Sequence, residues 1–321
     1  MLGARFGISK IVVTRTLTYR KYFMKTGYKL ALATASIALG FGVIQAKPAE
    51  AATLYIYAAA SLTDTLPQVE ALYKQSNPDV TFVNTFGASG TLANQILMGT
   101  NPNPVDIFFS VSQAPLDNLQ AANKLIPETR KNVLNNTLAV IAPINSTISI
   151  SSVQDLLQLR QVAIGNPAFV PAGGFAQQLF TNSGISQQIQ PKLVFGSDVR
   201  DVLNKVSSDT NDSIDAGIVY TTDALTLPNK VKIVYTPPIN LYSPIVYGSA
   251  VLRQTQNIDA ATDFNSFLAS SQASPVFQAS GFSTIPEPMT TGGSIAVGIV
   301  GLMMKRKVTA KTKAKAKAAV D

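Results

Sequence analysis

The chain has 321 residues, 46% of them apolar, enough for one large or two modest domains with a real core. It contains no cysteine and no histidine, which excludes disulfides, thiolate nucleophiles, Ser-His and Cys-His catalytic arrangements and most zinc sites. The net charge of +8 hints at nucleic acid, but the basic residues concentrate in 1–51 and 286–321, and the stretch between them carries 11 Lys/Arg against 15 Asp/Glu. The globular part therefore presents no basic face of the kind nucleic-acid recognition needs.

Residues 30–46 are an apolar run of mostly small residues, preceded by Lys25 and Lys29 and followed by Ala49-Glu-Ala51. A basic region, a short apolar run and a small-x-small site predict a secretory signal over residues 1–51. Cleavage by signal peptidase is expected after Ala51, with Ala46 as a second candidate. The run is short for a membrane anchor. Met24 is a candidate true start, because Met24 to Lys29 makes a compact basic lead-in.

Strand-like and helix-like segments then alternate. Leu54–Tyr57 is an apolar, aromatic strand; Ala58, Ala59 and Ala60 make a small-residue turn; Leu62, Leu66, Val69 and Leu72 recur on one helical face, which places Ser61 at or near a helix N-cap. Val80–Val83, the glycine-flanked turn 87–91 and the run 92–98 repeat strand, turn and helix around Ser89. Further strands are expected at 105–110, 137–142, 162–164, 192–195, 216–220, 230–235 and 243–252. Helices are expected at 114–123, 153–159, 175–180, from 200 through 206, and at 261–268.

Such alternation predicts mostly parallel sheets with helices on both faces. Ligands in these folds bind beyond the carboxyl ends of the strands. Ser61, Ser89, the loop 166–174, Ser197–Val199 and Tyr220 all fall at such ends. A plain N-cap is the ordinary use of a serine like Ser61, but several loops here offer hydroxyls and backbone N–H groups to one place. Gly87-Ala-Ser-Gly has the wrong spacing for a nucleophile elbow. Asp209, Asp212 and Asp215 lack the calcium-loop pattern and read as a solvated edge. Asp106 reads as a hinge or turn residue, and Tyr235, Tyr242 and Tyr247 as structural residues near a crossover between lobes.

Residues 53–284 resemble the periplasmic molybdate-binding proteins of ABC importers, which are type II solute-binding proteins. The resemblance is carried by Ala58-Ala-Ala-Ser-Leu62, Phe86-Gly-Ala-Ser-Gly-Thr-Leu92, Pro104-Val-Asp-Ile-Phe-Phe-Ser110, Asn135-Asn-Thr-Leu-Ala-Val-Ile-Ala-Pro143, Gly165-Asn-Pro-Ala-Phe-Val-Pro-Ala-Gly173, Asp198-Val-Arg200, Gly217-Ile-Val-Tyr220 and Gly281-Phe282. It implies an α/β fold of two lobes, each a mostly parallel sheet flanked by helices, with the ligand in the cleft between them. Lobe I would be 52–136 plus 243–285, and lobe II 137–242. It implies an oxyanion held without a charged side chain: by hydroxyl and backbone donors at Ser61 and Ser89, backbone N–H groups at Ala172 and Val199, and the phenol of Tyr220. The ligand would be molybdate or tungstate, with no cofactor, no direct metal ligand and no catalysis. The partners would be an ABC permease and its ATPase, and the mature domain a monomer. Gly90 departs from the family, where serine or threonine is common, and Asn166 stands where aspartate is frequent.

The far end, Ile285-Pro-Glu-Pro288, an apolar run to Met304 and Lys305-Arg-Lys307, resembles the PEP-CTERM sorting signal, in which an exosortase cleaves the tail at the membrane. The sorting segment would span 286–307. The Lys/Ala-rich extension 308–321 departs from that pattern and reads as a disordered tail. These features predict an exported protein, periplasmic or held at the membrane or cell surface through the tail. The alternatives are a surface-retained protein that has kept the fold without transport, and a binder of another oxyanion such as sulfate.

Overall fold

The structure, a computed structural model, describes residues 51–209 and 213–285. The expected signal segment apart from Ala51, Asp212, the sorting segment and the 308–321 tail lie outside the described residues.

The chain begins in one sheet with β1 (Ala52–Ala59), β2 (Val80–Gly87), β3 (Ile107–Ser110) and β4 (Lys131–Asn136). It passes directly into a second sheet with β5 (Leu138–Pro143), β6 (Val162–Gly165), β7 (Leu193–Gly196), β8 (Ala216–Tyr220) and β9 (Val231–Tyr235). It then returns to the first sheet through β10 (Ile245–Val251) and β11 (Ser283–Thr284). The six-stranded sheet has the order β11-β4-β10-β3-β1-β2, and the five-stranded sheet β7-β6-β8-β5-β9.

The helices α1 (Leu66–Lys74), α2 (Ser89–Met98) and α3 (Gln113–Ala121) accompany the first four strands. With the second sheet run α4 (Pro171–Asn182), α5 (Ser186–Ile189), α6 (Val199–Ser207) and α7 (Thr221–Thr226). Helices α8 (Ile258–Leu268) and α9 (Ser274–Ala279) lie on the return.

Both sheets are mixed, where the alternation of strand and helix predicted mostly parallel ones. β1 pairs in parallel with β2 and β3, whereas β10 runs antiparallel to β3 and β4. β5 is antiparallel to β8 and β9. β11 is antiparallel to β4 as well, and β5 and β10 are the first strands after the crossings between sheets. There the chain enters a sheet by direct extension, with no helix to reverse it. β4 itself, Lys-Asn-Val-Leu-Asn-Asn, carries too few apolar residues to stand out as a strand in the sequence.

β1 lies between β2 and β3, and its last four residues are all buried. A strand covered on both faces reads as continuous apolar or small residues, so Ala58 and Ala59 extend the strand rather than forming the expected turn. Ala60–Leu62 form a 3-10 turn, and residues 63–65 turn again before the helix. The following helix starts at Leu66, with Pro67 in its first turn, where a missing N–H costs nothing. Ser61 is therefore not the N-cap of α1. The expected helix at 153–159 is likewise a 3-10 helix, Val153–Gln158, held by a Ser152/Asp155 capping box.

Asp106 is fully buried, and its Oδ2 accepts the Tyr55 N–H at 2.7 Å. Thr255 Oγ1 donates to its Oδ1. It pins β1 to the segment after β10 and is not a hinge. At the crossings, the Leu138 N–H donates to Tyr242 Oη at 3.1 Å, tying the outgoing chain to the returning one.

Candidate functional site

Four of the five expected site residues, Ser61, Ser89, Val199 and Tyr220, line one cavity of about 10 Å³ between the two sheets. That is about the least room that holds one water molecule. The remaining wall is Ala59, Ala60, Gly87, Ala88, Val111, Val170 and Pro171, so no lining side chain carries a charge. Ala172, the fifth expected residue, is buried in the first turn of α4. It sits one residue beyond the wall, which Val170 and Pro171 form there.

The donors come from the ends of strands and the starts of helices. β2 ends at Gly87 and α2 begins at Ser89, whose Oγ accepts the Val111 N–H at 3.1 Å. Across the cavity, the Asp198 side chain caps α6 by accepting the N–H groups of Arg200 at 2.8 Å and Asp201 at 2.9 Å. The cap leaves the first amide of the helix, Val199 N–H, for the cavity. Starts of α2, α4 and α6 therefore converge here, each adding partial positive charge.

Tyr220 ends β8 and is fully buried, and its hydroxyl has no hydrogen-bond partner among the described residues. A buried unpaired hydroxyl costs about 1–3 kcal/mol, so the position favours a guest that accepts a hydrogen bond. Burial pushes the Tyr220 phenol well above its ordinary range, with Tyr247 and Asp223 acting in the same direction. It stays a proton donor throughout the neutral range.

Two contacts bridge the sheets beside the cavity. The Gly90 N–H on α2 donates to the Phe169 carbonyl, in the loop before α4, at 3.1 Å. A Cβ on Gly90 would lie 2.5 Å from that same oxygen. The second contact centres on Arg200. Its Nη1 pairs with Asp64 Oδ2 at 2.6 Å and its Nε lies 2.7 Å from Asp223 Oδ1. The second pair is close but off-axis, since neither atom makes an aligned hydrogen bond. The nearest positive charge is thus already neutralised outside the cavity.

Burial raises the Asp223 carboxyl from 3.8 to about 6, with Arg200 pulling partly the other way. A group whose folded value is raised contributes stability that is full below its unfolded value and is lost as pH climbs through the folded one. Relative to Asp223→Asn, the protein should therefore lose about 2 kcal/mol of stability between pH 4 and pH 6.5. Urea unfolding of both forms across that range measures it, and a flat difference would contradict it.

Three contributors were not expected from the sequence. Tyr247, read there as structural, shares a 2.7 Å hydrogen bond with Ser61 Oγ. Asn136 Nδ2 donates to Tyr247 Oη at 3.2 Å and to Thr222 Oγ1 at 2.8 Å. Gly90 forms the bridge to Phe169 described above. Spacing gives no signal for the first two, because Tyr247 lies 186 residues from Ser61.

Two mixed sheets joined by crossings, with a small uncharged cavity of hydroxyls and helix starts between them, define a two-lobed type II binding protein. The chain belongs to the bacterial extracellular solute-binding protein family, whose model matches residues 54–283. It is similar to the molybdate-binding protein ModA of Haemophilus influenzae, 33% identical over 265 residues that cover 81% of this chain and 99% of that protein. It is also similar to the molybdate-binding protein ModA of Escherichia coli K12, 32% identical over 254 residues, 77% of this chain and 95% of the relative. The periplasmic molybdate-binding protein of Azotobacter vinelandii shares the fold, with a TM-score of 0.63 at 23% identity over 73% of this chain and 100% of that one.

Proposed function

We propose that the chain is the substrate-binding protein of an ABC importer, exported from the cytoplasm, that captures molybdate or tungstate between two lobes and delivers it to a membrane permease and its ATPase. The observation that carries this reading is the buried, unpartnered hydroxyl of Tyr220 on a cavity shared with Ser61, Ser89 and Val199. The two molybdate-binding relatives support the choice of anion.

A tetrahedral dianion needs several converging donors at about 2.7–3.1 Å. Here they are hydroxyls and first-turn amides, with Ala172 N–H one residue behind the wall as a further candidate. Helix starts stabilise anions without a cationic side chain. Lobe I (52–136 plus 243–285) carries Ser61 and Ser89, and lobe II (137–242) carries Ala172, Val199 and Tyr220. An anion gripped by both favours the closed form, because only that form offers all donors at once. The ligand leaves unchanged, so the reading needs neither cofactor nor catalytic residue.

Titration calorimetry with molybdate, tungstate, sulfate and phosphate tests it. Micromolar or tighter binding of molybdate and tungstate is expected, and no oxyanion bound at that level would end the reading. Tyr220→Phe should weaken molybdate roughly ten- to a hundredfold, as for loss of one hydrogen bond to a charged group. Its unliganded melting temperature should not fall, because the removed hydroxyl has no protein partner.

A further inference from the structure

We propose that Asn136 and Tyr247 are positioning residues that fix Ser61 as a hydrogen-bond donor to the cavity, so that the site selects fully deprotonated oxyanions over those that carry a proton. The inference rests on the oxyanion reading above and adds the basis of its selectivity.

The direction of the relay follows from one backbone amide. The Thr137 N–H donates to Asn136 Oδ1 at 2.9 Å, and an N–H can only donate. The amide oxygen therefore faces Thr137, and the NH₂ faces Tyr247 Oη and Thr222 Oγ1. Tyr247 is fully buried, and its one proton then has Ser61 Oγ, 2.7 Å away, as its acceptor. Ser61 Oγ receives that proton and turns its own toward the cavity it lines.

Ser89 is fixed in the same sense by simpler means. Its Oγ accepts the Val111 N–H, which leaves the Ser89 proton for the cavity. Tyr220 has no protein acceptor for its proton. Three hydroxyls and the Val199 amide thus all present hydrogens, and no carboxylate lines the wall. A bare tetrahedral dianion satisfies every donor. An anion bearing an O–H meets a donor with its own hydrogen and leaves both unpaired, which is costly in a buried site.

The test is calorimetric titration of the unmodified protein, Tyr247→Phe and Asn136→Asp with molybdate and with hydrogen phosphate at pH 8. Both ligands are then mainly dianions, and only phosphate carries a proton. The unmodified protein should prefer molybdate by at least about a hundredfold. Tyr247→Phe frees Ser61 to accept and should narrow that ratio about tenfold. Asn136→Asp offers Tyr247 an acceptor, reverses the relay and should narrow the ratio further. The charge it adds acts on both dianions alike, so the ratio reads hydrogen-bond polarity rather than field. An unchanged ratio in both variants, including equal loss of both ligands, overturns the proposal. Failure of the unmodified protein to bind molybdate would instead defeat the oxyanion reading together with it.

Discussion

Gly90→Ala is expected to weaken molybdate binding roughly a hundredfold while leaving the unliganded protein as stable as before. The added Cβ would sit 2.5 Å from the Phe169 carbonyl oxygen and 3.1 Å from its carbon and Cα, all backbone atoms that cannot rotate aside. It would also displace the Gly90 N–H from its 3.1 Å bond to the same oxygen. Overpacking of this kind costs about 1–3 kcal/mol, and the lost hydrogen bond adds about 1 kcal/mol. Both terms act only when the lobes are closed. In the open form alanine suits α2 at least as well as glycine, because Gly90 does not adopt a positive φ. Calorimetry with molybdate, beside thermal melts without it, separates the two effects. Retained affinity would mean that the lobes close without this contact.

Gly173→Ala should act on the fold itself. A Cβ at Gly173 would lie 1.9 Å from the Gly165 carbonyl oxygen, where the start of α4 rests on the end of β6. Both partners are main chain, so the helix has to lift from the sheet. A loss of about 3 kcal/mol or more is expected, which for a domain of this size lowers the melting temperature by roughly 6–12 °C. Gly174→Ala supplies the control, since a Cβ there meets nothing within 4 Å and its φ is not positive. Equal melting temperatures for the two variants would refute the close-approach account.

The same pair of glycines indicates how far the site could be read from sequence. Short apolar runs ending in small residues or glycine identify β1, β2 and β6, because buried strands must be apolar and their ends must let backbone approach, and β8 is marked by its apolar run alone. Strand ends pointed to the loops that hold Ser61, Ser89, Val199 and Tyr220, and the resemblance to the molybdate-binding proteins singled out these residues within them. Only the expected place of Ser61 at the head of the helix fails: it lines the cavity but does not cap α1. Its hydroxyl bonds Tyr247 and not the amides of α1, because Pro67 moves the helix start to Leu66. β4, with two asparagines among its last residues, and the polar helix α7 gave no periodic signal; tertiary pairing with β10 and the buried Asp223 hold them. Tyr247 and Asn136 act through contacts made only when β4, β10 and the Ala60–Leu62 turn meet, and no local pattern encodes such a meeting.

The cavity's lack of charged walls bears on how a ligand would leave it. Ion pairs are screened by dissolved salt, whereas fixed dipoles acting at hydrogen-bond range are hardly affected. An anion held by Ser61, Ser89, Val199 and Tyr220 would therefore keep nearly the same residence time from dilute to saline surroundings. Around an exported protein the ionic strength follows the environment, and retention there would be set by the geometry of the two lobes. Release would then depend on prising the lobes apart, with no counter-ion required to take the ligand's place.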